Sequence, residues 1–371
     1  MQKFIIKELV TSNIESELEK IGFDIAYRAK ASDKFCYKTL KIFDLTLPQA
    51  NILKQTALSF GADCGVHRDI LTAKIEKTDV ILGGSYSQLK KISEKLKQQP
   101  FSMKILAENL LSQLEIQNRK TKIVGILNIT PDSFSDGGKY FSIEDSTKHF
   151  YRLVEDGADI IDIGAESTRP GAEAVSPEEQ ISRLKPLIKE LKNITIPLSI
   201  DTRCSEVARF ALENGFSIVN DVSGLSYDSR MPKTIADYDA TVIIQHSTAK
   251  TEDLFIYKDV VEDVYKFLYK KCQLAQEIGL KKIILDPGIG FGKSKFDNFE
   301  LLNRIEEFFS LACPLMVGVS RKSFFGLKDS TDNHLKDSLS LAVSYPLVQK
   351  GVDYLRVHNV KLYKQLLTSV I

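Results

Sequence analysis

Arg356 and His358 lie two residues apart in the apolar segment DYLRVHNV, and the period-2 alternation of an extended strand puts both side chains on one face. A guanidinium beside an imidazole suits a diphosphate, because arginine can bond two phosphate oxygens at once. A lone core histidine is more often structural, so it is the pairing that argues for an anion. Asp201-Thr202 and Asn220-Asp221 end two further apolar runs. Carboxylates and amides buried there are costly unless paired; either they cap helices, as Asp and Asn readily do, or they meet a polar ligand. Asn128 closes another run, ahead of the polar, glycine-ended loop NITPDSFSDGG at 128–138. A solvated turn accounts for the Pro, Asp and Gly of that loop, but not for an amide ending the strand. DPGIGFGK carries Gly288, Gly290 and Gly292, a weak phosphate-loop signal that does not match the Walker spacing. SRKS at 320–323 reads by itself as a basic surface loop.

These residues need strands to hold them. From Lys122 onward, short β-branched runs alternate with helix-period stretches: IVGILNIT, ADIIDIG, PLSIDT, SIVNDVSG, TVIIQHS, IILDPGIG, PLMVGVS and DYLRVHNV. Each is apolar at consecutive positions, the pattern of a strand covered on both faces. The helical stretch from Ser176 opens on Ser-Pro-Glu-Glu, a cap signal, and the one from His334 closes at Gly351. Eight βα units in about 240 residues match a (β/α)8 TIM barrel. A doubly wound open sheet alternates in the same way but gathers its ligand at one crevice. Here polar residues end nearly every strand: Asn128, Asp162, Asp201, Asn220, His246, Asp286, Ser320 and His358. That favours closure. Residues 1–117 read as a separate, smaller α/β domain, with strand-like FIIKEL, YKTLKIFDL and DVILGG and helix-like IESELEKIG, LPQANILKQTALSFG and SYSQLKKISEKLKQQ. MKILAENLLSQLEIQNRK leads into the barrel, expected over 118–371. No catalytic motif stands out in the first domain; Gly83-Gly84 before a helix is far more often a turn than a phosphate contact.

A chain of 371 residues exceeds one typical hydrophobic core, in keeping with two domains. Hydrophobic residues make up 43% and charged residues 27%, which is ordinary for a globular protein. With 50 basic and 49 acidic residues, the net charge of +1 favours neither nucleic acid nor an anionic membrane as partner. Five scattered cysteines without a CxxC pair argue against a disulfide framework or a zinc site and for a reducing cytoplasm. The apolar run from Phe4 to Ile6 is too short for a signal peptide, and no run is long enough to span a bilayer.

The string NITPDSFSDGG resembles the signature of dihydropteroate synthases, and AESTRPGAE, DPGIGFGK, SRKS and RVH resemble further family motifs, so the likeness covers roughly residues 123–360. It implies condensation of a hydroxymethyl-dihydropterin diphosphate with p-aminobenzoate to give dihydropteroate and diphosphate. By the same resemblance Asp201, Asn220, Asp286 and Lys322 bind the pterin. Asn128, Arg356 and His358 bind the diphosphate, with Asn128 also a Mg²⁺ ligand. Asp132, Phe134, Thr168, Arg169, Pro170, Phe291 and Ser323 line the site of p-aminobenzoate. Asn128, Lys322, Arg356 and His358 are the residues on which catalysis is expected to depend. Three positions depart from the family pattern: Ala165 replaces a second glycine, Asn359 replaces the aspartate of Arg-x-His-Asp, and Gln245-His246-Ser247 replaces a Met-His-Met-like segment.

The implied chemistry needs no protein nucleophile. Diphosphate departs in an SN1-like step, the pterin ring stabilises the methylene cation, and the enzyme's task is to hold the leaving group and position the amine. A pterin-binding methyltransferase on the same barrel would share Asp201, Asn220 and Asp286 but has no use for a diphosphate site. A barrel that has lost catalysis would fit the three departures but not the intact Asn128, Arg169, Lys322, Arg356 and His358. Arg356→Ala is expected to weaken binding of diphosphate ligands while sparing the bare pterin. Sulfonamides, as mimics of p-aminobenzoate, are expected to compete for its pocket. A homodimer is expected by resemblance alone, and the first domain is expected to be structural or oligomerising.

Overall fold

The computed structural model describes residues 6–9, 14–72, 74–115, 119–129, 143–166, 175–191, 194–248, 256–327 and 332–370. The chain divides into two compact units, Met1–Gln117 and Asn118–Ile371.

The first unit holds α1 (Ile14–Lys20), α2 (Arg28–Ser32), β1 (Tyr37–Thr46), α3 (Leu47–Ser59), β2 (Asp63–Gly65), β3 (Lys77–Ser85), α4 (Tyr86–Leu96) and α5 (Met103–Ser112). Its three strands form an antiparallel sheet in the order β1-β3-β2. Burial alternates along β3, where Val80 and Leu82 are buried and Ile81 is exposed. That is the one-sided pattern of a sheet covered on a single face, and here α3 and α4 contribute Leu53, Leu89, Ile92 and Leu96 to the shared core. Ser85 starts α4 with a capping box: its Oγ accepts from Gln88 N at 3.3 Å, and Gln88 Oε1 accepts from Ser85 N at 2.8 Å. One sequence expectation fails over its described part: residues 6–9 of FIIKEL form no strand. The three-residue β2 carries no sequence signal and is not among the expected strands.

The second unit is the barrel. Its strands are β4 (Lys122–Asn128), β5 (Ile160–Gly164), β6 (Leu198–Asp201), β7 (Ile218–Asp221), β8 (Thr241–Gln245), β9 (Ile283–Asp286), β10 (Met316–Val317) and β11 (Tyr354–Val357). Its helices are α6 (Ile143–Glu155), α7 (Pro177–Glu190), α8 (Ser205–Glu213), α9 (Met231–Asp237), α10 (Val260–Glu277), α11 (Lys295–Asn303), α12 (Asn333–Lys350) and α13 (Val360–Val370). The eight strands pair in parallel in the order β10-β11-β4-β5-β6-β7-β8-β9. A parallel bridge between Leu285 and Leu315 links the last strand back to the first and closes the ring. The expected (β/α)8 barrel with a smaller N-terminal α/β domain is therefore the observed fold.

Helix starts and stops follow the residues read for them. Ser176 Oγ accepts from Glu179 N at the head of α7, and Gly351, at φ 84°, ends α12 in the left-handed conformation that glycine adopts without penalty. No described helix is long and apolar enough to cross a membrane.

The barrel interior explains where chemistry can sit. Val124, Ile160, Ile218, Ile243, Ile284 and Met316 form one buried apolar layer. Two residues further along, period 2 returns each strand to the same face. On five of the strands this raises Asp162, Asn220, Gln245, Asp286 and Arg356 above the apolar floor. The side chain of β6 at this level is Asp201, which pairs in register with Asn220.

Candidate active site

The centre of the barrel mouth is an ion cluster. Arg356 Nε donates to Asp162 Oδ2 at 2.7 Å and its Nη2 donates to Asp201 Oδ2 at 2.6 Å. Asn220 Nδ2 donates to the same Asp162 oxygen at 2.9 Å. Asp162 is fully buried, so the guanidinium it shares with Asp201 compensates charge that water cannot reach. Burial pushes the Asp201 carboxyl up to about 7, against the pull of Arg356. Asp286, on the next wall, is pushed up to about 6 by burial, although Gly288 N donates to its Oδ1 at 2.7 Å.

Four buried polar atoms in this layer have no hydrogen-bond partner: Asp162 Oδ1, Asp201 Oδ1, Asn220 Oδ1 and Gln245 Nε2. Buried polar groups are seldom left unsatisfied, because each such group costs about 1–3 kcal/mol. Three acceptors and one donor on four neighbouring strands ask for a ligand edge rich in donors that also carries an acceptor.

Lys322 reaches the mouth from the loop after β10. Its Nζ lies 3.9 Å from the centroid of the Phe291 ring, a cation–π contact. Its stem runs beside Gly290, where a Cβ would come within 3.1 Å of Lys322 Cδ. The glycine-rich turn is held from below by Lys293, whose Nζ donates to the carbonyls of Gly288 at 2.8 Å and Phe291 at 3.1 Å. Burial pulls this ammonium down to about 7. Gly288, at φ 67°, admits no other residue, since a Cβ there would lie 1.8 Å from His246 O.

His358 and Asn128 border a cavity of about 230 Å³ that His149, Arg152 and Arg321 also line. Ser320 Oγ shares a hydrogen bond of 2.9 Å with His358 Nδ1, so a serine orients this imidazole. Arg356 does not line that cavity, because its guanidinium is turned to the two carboxylates.

The structure thus brings Asp201, Asn220, Asp286, Lys322, Phe291 and Arg356 around one mouth, with Asn128 and His358 at its side. Ser323 is exposed at the start of a short 3₁₀ turn. Asp132, Phe134, Thr168, Arg169 and Pro170 lie outside the described residues. His246, read as one of the polar strand ends, faces outward against Phe267, with ring centroids 4.8 Å apart. Burial pulls its imidazole down to about 3. Its neighbour Gln245 occupies the interior position instead. Reading the sequence places Asp162 among the polar strand ends but gives it no role in the site, and it overlooks Lys293, whose signal is a lysine closing a glycine-rich turn.

Residues 124–358 match the model of the pterin binding enzyme family. The chain belongs to the dihydropteroate synthase family of pterin-binding enzymes. A probable bifunctional folylpolyglutamate synthase/dihydropteroate synthase of Halobacterium salinarum is 40% identical over 328 residues, covering 84% of this chain and 40% of the relative. The chain thus spans about two fifths of the length of the archaeal relatives it matches. A bifunctional dihydropteroate synthase/dihydropteroate reductase of Helicobacter pylori is 34% identical over 366 residues, covering 96% of this chain and 95% of that one. Among solved structures, dihydropteroate synthase from Xanthomonas albilineans in complex with 7,8-dihydropteroate superposes with a TM-score of 0.60 at 35% identity, covering 68% of this chain and 94% of that one. The family's barrel is therefore present nearly whole, and the Helicobacter relative shares the first unit as well.

Proposed function

We propose that the chain is a dihydropteroate synthase, condensing 6-hydroxymethyl-7,8-dihydropterin diphosphate with p-aminobenzoate to 7,8-dihydropteroate and diphosphate. The observation that carries this reading is the set of unpartnered atoms in the mouth. Acceptors on Asp162, Asp201 and Asn220 and a donor on Gln245 complement an aminopyrimidinone, whose edge carries an amino group, a ring N–H and a carbonyl. Asp286 and Lys322 complete the pterin pocket. In the reaction the bond between the pterin methylene carbon and the diphosphate oxygen breaks, and its electron pair leaves with diphosphate. The lone pair of the arylamine then forms the new carbon–nitrogen bond, and the amine releases a proton to solvent.

The chain's residues bind and orient rather than attack. His358 and Asn128 hold the diphosphate, and Arg356 adds positive charge behind it while keeping Asp201 aligned for the ring. Phe291 and Ser323, with the loop residues Asp132, Phe134, Thr168, Arg169 and Pro170, would enclose p-aminobenzoate and keep water from the cation. Mg²⁺ belongs to this proposal. The amide oxygen of Asn128 is a hard donor, and such a donor with phosphate oxygens and water suits this ion; no cluster of three His, Cys, Asp or Glu side chains forms a separate cage among the described residues. Bound there, the ion would neutralise charge on the leaving diphosphate. A homodimer and a cytoplasmic location, the latter in keeping with five free cysteines, complete the reading. The test is to incubate purified protein with both substrates and Mg²⁺ and follow dihydropteroate and diphosphate. No metal-dependent product would sink it.

The Helicobacter relative favours a second reading, because its likeness runs through the first unit and its name adds a dihydropteroate reductase. On that reading the full chain would also reduce dihydropteroate at the expense of a nicotinamide nucleotide. Dihydropteroate-dependent oxidation of NADPH by the full chain, lost on deleting residues 1–117, would support it; no oxidation would dismiss it.

A further inference from the structure

Asn359 stands where the family pattern has an aspartate, and its surroundings explain why. Its Nδ2 donates to Asp337 Oδ2 at 3.0 Å, and its Oδ1 accepts from Leu362 N at 3.2 Å at the head of α13. The opposite amide orientation would set oxygen against carboxylate and NH₂ against N–H, so the network fixes this one. An aspartate here could cap α13 but would confront the Asp337 carboxylate with no proton between them. Asp337 lies on α12, 5% exposed, and its two oxygens accept from Arg321 Nε at 2.7 Å and Nη2 at 2.8 Å. This is the bidentate fork that only arginine supplies.

Arg321 is also strained. Its φ of 55° lies in the left-handed region, which is strained for a non-glycine residue and persists only where surroundings enforce it. The enforcement is visible: the fork to Asp337, and Arg321 N donating to Ser340 Oγ at 3.0 Å. On either side of this turn, Ser320 holds His358 Nδ1 and Lys322 stands over Phe291. The strained residue therefore sends its two neighbours to two different parts of the site.

We propose that Asp337 is a positioning residue: from α12, outside the mouth, it locks the Arg321 turn and the Asn359 strand end into one frame, which sets Lys322 and His358 for catalysis. The proposal also assigns the asparagine at 359 to the presence of this carboxylate, so the two positions function as a matched amide–carboxylate pair. It rests on the reading of Lys322 and His358 given above.

The experiment compares the full chain with Asp337→Asn, Asn359→Asp, the exchange Asp337→Asn/Asn359→Asp, and Arg321→Lys. Each of the three single variants is expected to lower kcat/KM for the pterin diphosphate about tenfold, mainly through KM, the scale of coupling between contacting residues. The exchange restores the amide–carboxylate contact between 337 and 359 but not the fork to Arg321, so it is expected to exceed the product of the single losses while staying below wild type. His358 ring resonances in ¹H–¹⁵N spectra should shift in Asp337→Asn and Asn359→Asp and move back in the exchange. Those spectra need no substrate, so an inactive wild type would overturn the proposed function without removing the test of this one. An exchange no better than the product of its parts, unmoved His358 resonances, or losses that only track a lower melting temperature would each overturn it. Should either carboxylate variant fail to fold, Arg321→Lys alone decides, and wild-type KM there would refute it.

Discussion

Replacing Arg356 with methionine would remove the cation that is hydrogen-bonded to two buried carboxylates. The side chains of Asp162 and Asp201 are 0% and 7% exposed, at 2.7 and 2.6 Å from the guanidinium. Taking away one partner of a buried ion pair costs about 3–5 kcal/mol, because the remaining charge is left uncompensated. One of the two carboxyls has an escape. Asp201 is already raised to about 7, and without Arg356 it holds a proton still more firmly. A carboxyl whose folded value is raised contributes stability that is full below its unfolded value and lost as pH rises through the folded one. The penalty should therefore be the whole of about 3–5 kcal/mol at pH 8 and smaller at pH 6 by about 1–2 kcal/mol, because a proton retained by the folded chain gains about 1.4 kcal/mol for each step of one in pH. Urea denaturation at the two pH values, with unchanged slope, measures it. A penalty under about 1 kcal/mol at pH 8, or one equal at both pH values, would refute the buried triad as an energetic unit. Ligand binding gives a second reading of the same variant. The sequence alone suggests that only diphosphate ligands would suffer; the triad implies that bare pterin binding falls too, because Asp162 and Asp201 lose their alignment together.

Three further outcomes are expected. In Gln245→Met the unpartnered Nε2 is gone, and pterin affinity measured by calorimetry should fall about tenfold, the cost of about 1–2 kcal/mol for leaving a ligand acceptor unpaired; unchanged affinity would place Gln245 outside the pocket. With Asp201 and Asp286 raised to about 7 and about 6, the folded ligand-free protein keeps protons that the unfolded chain releases near its ordinary value, so stability should decline from pH 5 to pH 8. Asp286→Asn should flatten part of that slope in denaturation curves, and an unaltered slope would show that Asp286 ionises normally. Gly288→Ala forces a Cβ onto His246 O and should lower stability by about 2–4 kcal/mol while abolishing pterin binding; a variant as stable as wild type would mean the turn can move aside.

Consecutive apolar positions bounded by polar strand ends make all eight barrel strands legible, because a parallel strand is covered on both faces and has little freedom to be anything else. PLMVGVS shrinks to Met316–Val317, but its place in the ring is as expected. The first unit is less legible. β2 has three residues and owes its existence to pairing with β3, a contact no local pattern carries, while FIIKEL resembles a strand by composition alone. In the site, Asp201, Asn220 and Asp286 are readable as buried polar residues that need partners. Arg356 is readable as a cation, but not what it faces, because Asp162 is 194 residues away along the chain. His246 is misread because both it and Gln245 are polar at one strand end, and only the register of β8 decides which points inward.

The four partnerless atoms in the mouth have a consequence for the life of the protein. A ligand that satisfies them binds only the folded chain, and so adds RT ln(1 + [L]/Kd) to its stability. At a concentration one hundred times the dissociation constant this is about 2.7 kcal/mol, a sizeable share of the 5–15 kcal/mol that holds a typical domain together. The fraction unfolded, and with it exposure to proteases, then falls about a hundredfold as pterin accumulates. On the proposed function, the abundance of this chain would thereby follow the supply of a pterin ligand by mass action, without any regulator beyond the unmet hydrogen bonds themselves.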